Sequence, residues 1–482
     1  MKNRTISLIC CAALLISCFN DARAQRRRAP ATEHFDAKLE ADLNRLQEAA
    51  LSSDYAYRQL AHLCNNIGPR LSGSAQAAHA VEYVAGELRK LGLEVRLEKC
   101  ITPHWVRGVE TAALTEFVGQ APKTTQKIVV TALGGSVATP GEGTTAEVVV
   151  VENFDQLRAL GRQRVEGKIV LFNVRFDLRM AAAGAWGDAY GQAVVYRGIG
   201  ASEAARLGAV ASLVRSVGGA DYRLPHTGAL RYADDAPRIP AGAVTSEDAD
   251  TIAYLASQGR VRMRLTLTPE TLPDVESFNV VADLKGTERP EEIVIVSGHL
   301  DSWDLGTGAI DDGAGVVIAM QTAQLVKQLG LKPKRTIRVI AWMNEENGGA
   351  GSRAYAEAHK AEFSNHVAAI ESDLGAGHPL GFNARANAKA LEMLAPLAEI
   401  LRTSGAGLMR AVPAGTGADI EPLEADGVPC FGVLQDGRTY FNYHHTAADT
   451  LDKVSPRELA ENAAAMAVLA YAIASLPDRL PR

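Results

Sequence analysis

Ile293-Val294-Ile295-Val296 is the stretch that most restricts what this chain can fold into. Four β-branched residues in a row, without polar alternation, describe a strand buried on both faces, the condition of a strand inside a parallel sheet. The polarity then changes at once. Gly298-His299-Leu300-Asp301-Ser302-Trp303-Asp304 follows, and Ile310-Asp311-Asp312-Gly313-Ala314-Gly315 leads into an apolar helix. In open α/β sheets, ligands gather where strands end and helices begin. This stretch therefore reads as half of a metal site.

The same pattern recurs downstream. The helix over 315–329 carries Val316, Met320, Ala323 and Val326 on one stripe. A strand over 336–343 runs into Asn344-Glu345-Glu346, and one over 367–370 runs into Glu371-Ser372-Asp373. A helix is expected over 389–402. A strand over 429–434 is followed by a turn at Asp436-Gly437 and then Tyr443-His444-His445-Thr446. The closing helix, 456–475, starts with Ser455 and Glu458 in capping-box spacing. Such alternation predicts an α/β fold, a mostly parallel central sheet with helices on both faces.

The 482 residues exceed one ordinary core, which predicts two domains and an N-terminal extension. Lys2 and Arg4, the apolar run 6–16 and Ala22-Arg23-Ala24 form an export signal over 1–24. The run is too short for a stable membrane span. Leu15-Ile16-Ser17-Cys18 also fits a lipoprotein processing box, so the reading is a periplasmic or secreted protein, with a lipid anchor at Cys18 as the alternative. A basic, Pro-containing leader occupies 25–34. The first part of a catalytic domain spans 35–133, with helices over 35–51, 55–64 and 75–91 (Ser74 as cap) and a strand over 93–97. Residues 134–272 have their own strands (146–151, 169–173, 208–214) and helices (200–207, 246–258) but no dense cluster of His, Asp and Glu. They read as an inserted, non-catalytic α/β domain, and 273–482 as the rest of the catalytic domain.

A formal charge of −6 gives no reason to expect nucleic acid. Beyond the signal only Cys64, Cys100 and Cys430 remain, which allows at most one disulfide and excludes a cysteine metal cluster. Any metal must use oxygen and imidazole ligands. Taken singly, the candidates have ordinary explanations: a lone histidine is usually structural, Asp311 or Asp312 before a helix is usually a cap, and paired glutamates are usually solvated. Parallel strands, however, deliver their C-terminal ends to one edge, and carboxylates crowded there repel one another. A divalent cation resolves the conflict, and His with Asp/Glu suits zinc or a similar ion. Gly306-Thr307-Gly308 lacks the third glycine of a dinucleotide loop, and neither a phosphate loop nor a G-x-S-x-G elbow occurs. Residues 301–312 lack the alternating ligands of an EF-hand.

The combination G-H-L-D-S-W-D, D-D-G-x-G, E-E, E-S-D and H-H-T-x-x-D-T resembles the co-catalytic dinuclear zinc exopeptidases of the aminopeptidase/plasma glutamate carboxypeptidase group. The resemblance covers most of the mature chain, and the insertion is similar to a protease-associated domain. It implies two Zn²⁺ ions bridged by Asp311, one completed by His299 and Asp373, the other by Glu346 and His445, with His444 structural or supporting. It implies Glu345 as general base for a metal-activated water, dipeptides or short peptides as substrates, and a homodimer as the family expectation. Asp301, two residues past His299, is placed to hold that imidazole in one tautomer; Asp449 is a weaker candidate of the same kind. Two other classes remain: a glutaminyl-cyclase-like acyl transferase, against which the insertion argues, and a non-catalytic binding protein, against which the full ligand set argues. The direction of cleavage stays open, with Arg353 or Arg438 available for a substrate carboxylate and Asp419 for an amine.

Overall fold

The computed structural model describes residues 34–219 and 222–482; the expected export signal, the leader up to residue 33 and Cys18 lie outside them. Sixteen strands, numbered β1 to β16 in chain order, make two eight-stranded sheets among these residues. The first sheet holds β1 (Glu94–Val106), β10 (Glu270–Leu284), β11 (Arg289–His299), β12 (Arg335–Trp342), β13 (His366–Glu371), β14 (Pro379–Arg385), β15 (Leu408–Ala411) and β16 (Cys430–Gln435). The second holds β2 (Glu110–Glu116), β3 (Gln126–Ile128), β4 (Val130–Ala132), β5 (Thr144–Val151), β6 (Ile169–Phe172), β7 (Ala211–Arg215), β8 (Ala241–Val244) and β9 (Arg262–Leu267).

The first sheet has the order β1-β10-β12-β11-β13-β16-β14-β15. Its centre is parallel, β12, β11, β13 and β16 pointing the same way, and antiparallel pairs flank it on both sides. The β-branched run in β11 behaves as its composition requires. Val294 and Val296 pack with Val317, Met320 and the closing helix Pro456–Ser475, while Ile293 and Ile295 pack on the opposite face with Tyr355, Phe363 and Ile420. Both faces are covered, and all four central strands end at one edge.

The second sheet has the order β3-β2-β9-β5-β6-β7-β8-β4. It joins the first through the long β1/β10 ribbon, whose register shifts between Thr102 and His104, where Pro103 and Pro273 interrupt the ladder. The polar, half-exposed residues of β1 hide its length from the sequence, so the strand expected at 93–97 is thirteen residues long. The expected boundary at 134 cuts through this sheet: β2, β3 and β4 precede it, β2 pairing with β3 and β9, and β4 with β8.

The helix expected over 200–207 runs over Trp186–Arg206; Gly187, Gly191, Gly198 and Gly200 weaken its helical signal. The helix expected over 389–402 is split into Ala388–Leu394 and Leu397–Leu401, with Pro396 at the break. Asp36, Ser74, Thr245 and Ser455 cap their helices as side-chain acceptors. Cys64, Cys100 and Cys430 are buried free thiols. No helix among the described residues is long and apolar enough to cross a membrane.

One buried ion pair ties β10 to β12. Asp283 accepts two bonds from Arg338, at 2.7 and 2.9 Å, and one from Arg96 at 3.1 Å. Burial pushes the Asp283 carboxyl up, but Arg338 and Arg96 outweigh it and bring its pKa down to about 2. Because the folded pKa lies below the unfolded one, the stabilisation is complete above about pH 4 and is lost as pH falls toward 2. Asp283→Asn leaves Arg338 buried beside a neutral partner and should cost roughly 3–5 kcal/mol at neutral pH. Urea melts at pH 7 and pH 3 check this: the gap between wild type and variant should narrow at the lower pH.

Candidate active site

The central strands deliver their chemistry at their C-terminal ends or in the segments that follow them. His299 ends β11; Glu345 and Glu346 follow β12; Asp373 follows β13; His444 and His445 come after β16 and the short helix Tyr440–Tyr443. Asp311 sits where the chain turns into the helix Ala314–Gln328.

These groups converge. His299 Nε2 lies 3.3 Å from Asp311 Oδ1 and 3.2 Å from Asp373 Oδ1. His445 Nε2 lies 3.1 Å from Asp311 Oδ2 and 2.9 Å from Glu346 Oε2. Asp311 thus faces one His–carboxylate set with each oxygen. His444 is also near, its Nε2 3.4 Å from Asp311 Oδ2, and its ring stacks on His445 at 3.5 Å. Distance to Asp311 separates the two histidines little; the Glu346 contact belongs to His445.

The cluster is electrostatically unsettled without a cation. Burial pushes Glu346 up to about 7 and lifts Asp373 as well. Burial opposes charge on His445, yet Glu346 and Asp311 raise it to about 9. Asp311 Oδ2 and Glu346 Oε1 are buried without a hydrogen-bond partner. Three carboxylates and two or three imidazoles, with orphaned oxygens turned inward, are a donor set for divalent zinc. His299–Asp311–Asp373 and Asp311–His444–His445 each bring ligand atoms within 4.8 Å of one another.

Supporting contacts fix these groups in place. His299 Nδ1 lies 3.0 Å from the backbone carbonyl of Asp301 and 3.9 Å from its carboxylate. Asp301 therefore holds the ring through its main chain. The Asp301 side chain does something else: it accepts from the N–H groups of Asn344 at 2.6 Å and Glu345 at 3.1 Å, and from Ser72 Oγ at 2.8 Å. It anchors the turn that presents Glu345, where Asn344 has φ of 75°. Asp449 accepts from the N–H groups of Ala309 and Ile310, just before Asp311. Asp312 ties the His299 N–H to the Gly315 N–H, both at 3.0 Å. A Cβ at Gly315 would stand 1.9 Å from the Ser372 carbonyl, which accounts for the last glycine of D-D-G-x-G. Glu345 itself is pushed well up by burial, with Asp373, Glu346 and Asp419 adding to the effect.

The segment expected to be non-catalytic reaches this site. Thr227 donates its N–H to the His445 carbonyl at 2.9 Å, and His445 Nδ1 faces the Thr227 carbonyl at 3.3 Å. That pair of contacts holds His445 at φ 60°, a left-handed conformation uncommon for histidine. Arg107 bridges the sheets, pairing with Asp304 at 2.7 Å and contacting Thr227 Oγ1 at 3.2 Å. Arg70 is fully buried and holds the carbonyls of Leu300, Thr307 and Gly308. The sequence gives no local sign of Thr227, Arg197 or Arg107; Arg70 lies between the helices expected over 55–64 and 75–91.

A cavity of about 1090 Å³ opens over the cluster, walled by both sheets' segments, including Trp186, Tyr190, Arg197, Ser352, Asp419 and Phe441. Asp419 is in the wall, with neither carboxylate oxygen hydrogen-bonded among the described residues and burial pushing it up to about 7. Arg353 is at the exposed rim. Arg438 pairs with Asp436 and lines a different cleft.

Known proteins resemble this chain in family and in fold. The profile of peptidase family M28 matches residues 279–470. Carboxypeptidase Q of Bos taurus is 41% identical over 429 residues, covering 89% of this chain and 87% of that protein. The crystal structure of a peptidase M28 precursor from Shewanella amazonensis SB2B superposes with a TM-score of 0.86 at 37% identity, covering 93% of this chain and 99% of that one. A zinc aminopeptidase from Bacillus subtilis shares the fold at a TM-score of 0.63 and 20% identity, covering 88% and 98%.

Proposed function

The chain belongs to peptidase family M28, which makes it a metallo-exopeptidase, and on that premise we propose that it hydrolyses dipeptides or short peptides at a pair of zinc ions. The observation that carries the reading is Asp311, whose two oxygens each face a separate His–carboxylate set. His299 and Asp373 would hold one ion, and Glu346 and His445 the other. Bound there, two ions would acidify a water and polarise the scissile carbonyl.

The protein's own groups supply the rest. Glu345 stands beside the cluster on a turn fixed by Asp301; it takes the proton from the attacking water and hands it to the departing amine. The cavity walls exclude bulk water and orient the peptide. No contact favours the acyl-transferase or the non-catalytic reading. We place the protein outside the cytoplasm on its N-terminal signal.

The test is hydrolysis of unblocked dipeptides before and after removal of metal with a chelator. Activity should vanish and return with added zinc. Undiminished hydrolysis in protein shown to be metal-free would sink the proposal, and pyroglutamate formation in place of hydrolysis would favour the acyl transferase.

A further inference from the structure

Among the described residues, Arg197 is an ion without a counter-ion. It is 8% exposed, and its Nε has no hydrogen-bond partner. Other arginines of the second sheet's segment pair with carboxylates: Arg206 with Asp235, Arg215 with Asp250 and Arg223 with Asp248, at 2.6 to 2.8 Å. Arg197 has instead the Thr227 carbonyl at 3.3 Å and the face of Tyr190 at 5.5 Å. Room is kept for it, since a Cβ on Gly228 would stand 2.4 Å from its guanidinium carbon. A charge buried without a partner is costly unless something supplies the partner.

Its position says what that partner is. The helix Trp186–Arg206 turns Trp186, Tyr190, Val194 and Arg197 toward the catalytic cavity, at helical spacing along one side. Arg197 Nη1 lies 3.4 Å from His445 Nδ1, while the other ring nitrogen faces Asp311 and Glu346. The guanidinium is one imidazole away from the reacting centre. In a peptide cut next to its last residue, the terminal carboxylate carbon lies only three bonds from the scissile carbonyl carbon. Arg231 and Arg238 add exposed positive charge to the same wall, and neither pairs with a carboxylate among the described residues.

Resting on the peptidase reading, we propose that Arg197 is the specificity-determining cation of the cavity, receiving the free α-carboxylate of the residue that leaves. A planar fork of donors suits a carboxylate. An acidic side chain would offer the same chemistry, so the test must distinguish the two sources.

Three substrates do so in zinc-loaded protein: alanyl-phenylalanine, its C-terminal amide, and alanyl-glutamic acid α-amide, which carries only a side-chain carboxylate. In Arg197→Met, kcat/KM for the free acid should fall by about 10–100-fold, the worth of a charged hydrogen bond, and at least tenfold more than for either amide. Arg197→Lys should recover part of the difference. Equal losses on all three substrates, or a loss of bound zinc in Arg197→Met, would make Arg197 a support for His445 and overturn the proposal. A loss confined to the glutamyl amide would assign the side chain instead, and overturn it too. Binding separates this from the peptidase reading. Acetyl-phenylalanine should bind zinc-loaded Glu345→Gln protein at least tenfold more tightly than its amide, and Arg197→Met in that background should abolish the preference, whether or not any peptide is hydrolysed. Equal binding of acid and amide would refute the assignment.

Discussion

Replacing Glu345 by Gln should lower kcat by about 10²–10⁴-fold, the range of a lost general base, while bound zinc and the melting temperature stay where they were. Gln matches Glu in shape and keeps the backbone bond to Asp301, so the turn is undisturbed. What it lacks is a site to take a proton. Glu345 lies among Asp373, Glu346 and Asp419 without being part of either His–carboxylate set around Asp311. The measurement is steady-state hydrolysis of an unblocked dipeptide, with metal content determined on the same sample. A kcat within tenfold of wild type would remove Glu345 from the chemistry; loss of zinc would make it a ligand instead.

Asp311→Ala should act differently. Because Asp311 contacts both sets, its loss should weaken both ions together, by more than the roughly 10–100-fold that losing an outer contact costs. Asp373→Ala, touching one set, should weaken one. The stability readout adds a second check. In metal-free protein the imidazoles of His444, His299 and His445 hold the Asp311 carboxyl well below its usual range against the cost of burial, so Asp311→Ala removes a favourable charge and should itself lower the melting temperature at neutral pH. With zinc present at about 1,000 times its Kd, wild type gains about 4 kcal/mol for each ion that the variant no longer holds. A variant that keeps two equivalents of zinc would contradict the bridging role.

Much of this was legible in the sequence for one reason: in a parallel sheet, strand ends are neighbours. Ile293 to Val296 announced a doubly buried strand, and the groups at 299, 345, 346 and 373 stood where such strands stop. The structure brings them, with Asp311 and His445, to one place. Spacing could not say which atom of Asp301 would meet the His299 ring, because a backbone oxygen and a carboxylate two residues on are equally near in sequence. Nor could it reveal Arg197 or Thr227. They belong to a segment without clustered titratable residues, and the helix carrying Arg197 is masked by four glycines. Their significance exists only once two sheets are folded against each other.

The link between Thr227 and His445 spans 218 positions of chain. Contacts so distant in sequence are the slow ones to form. The turn at His445 is consequently fastened from outside its own sheet, by a residue of the second sheet's segment, and lacks that support until the two sheets have come together.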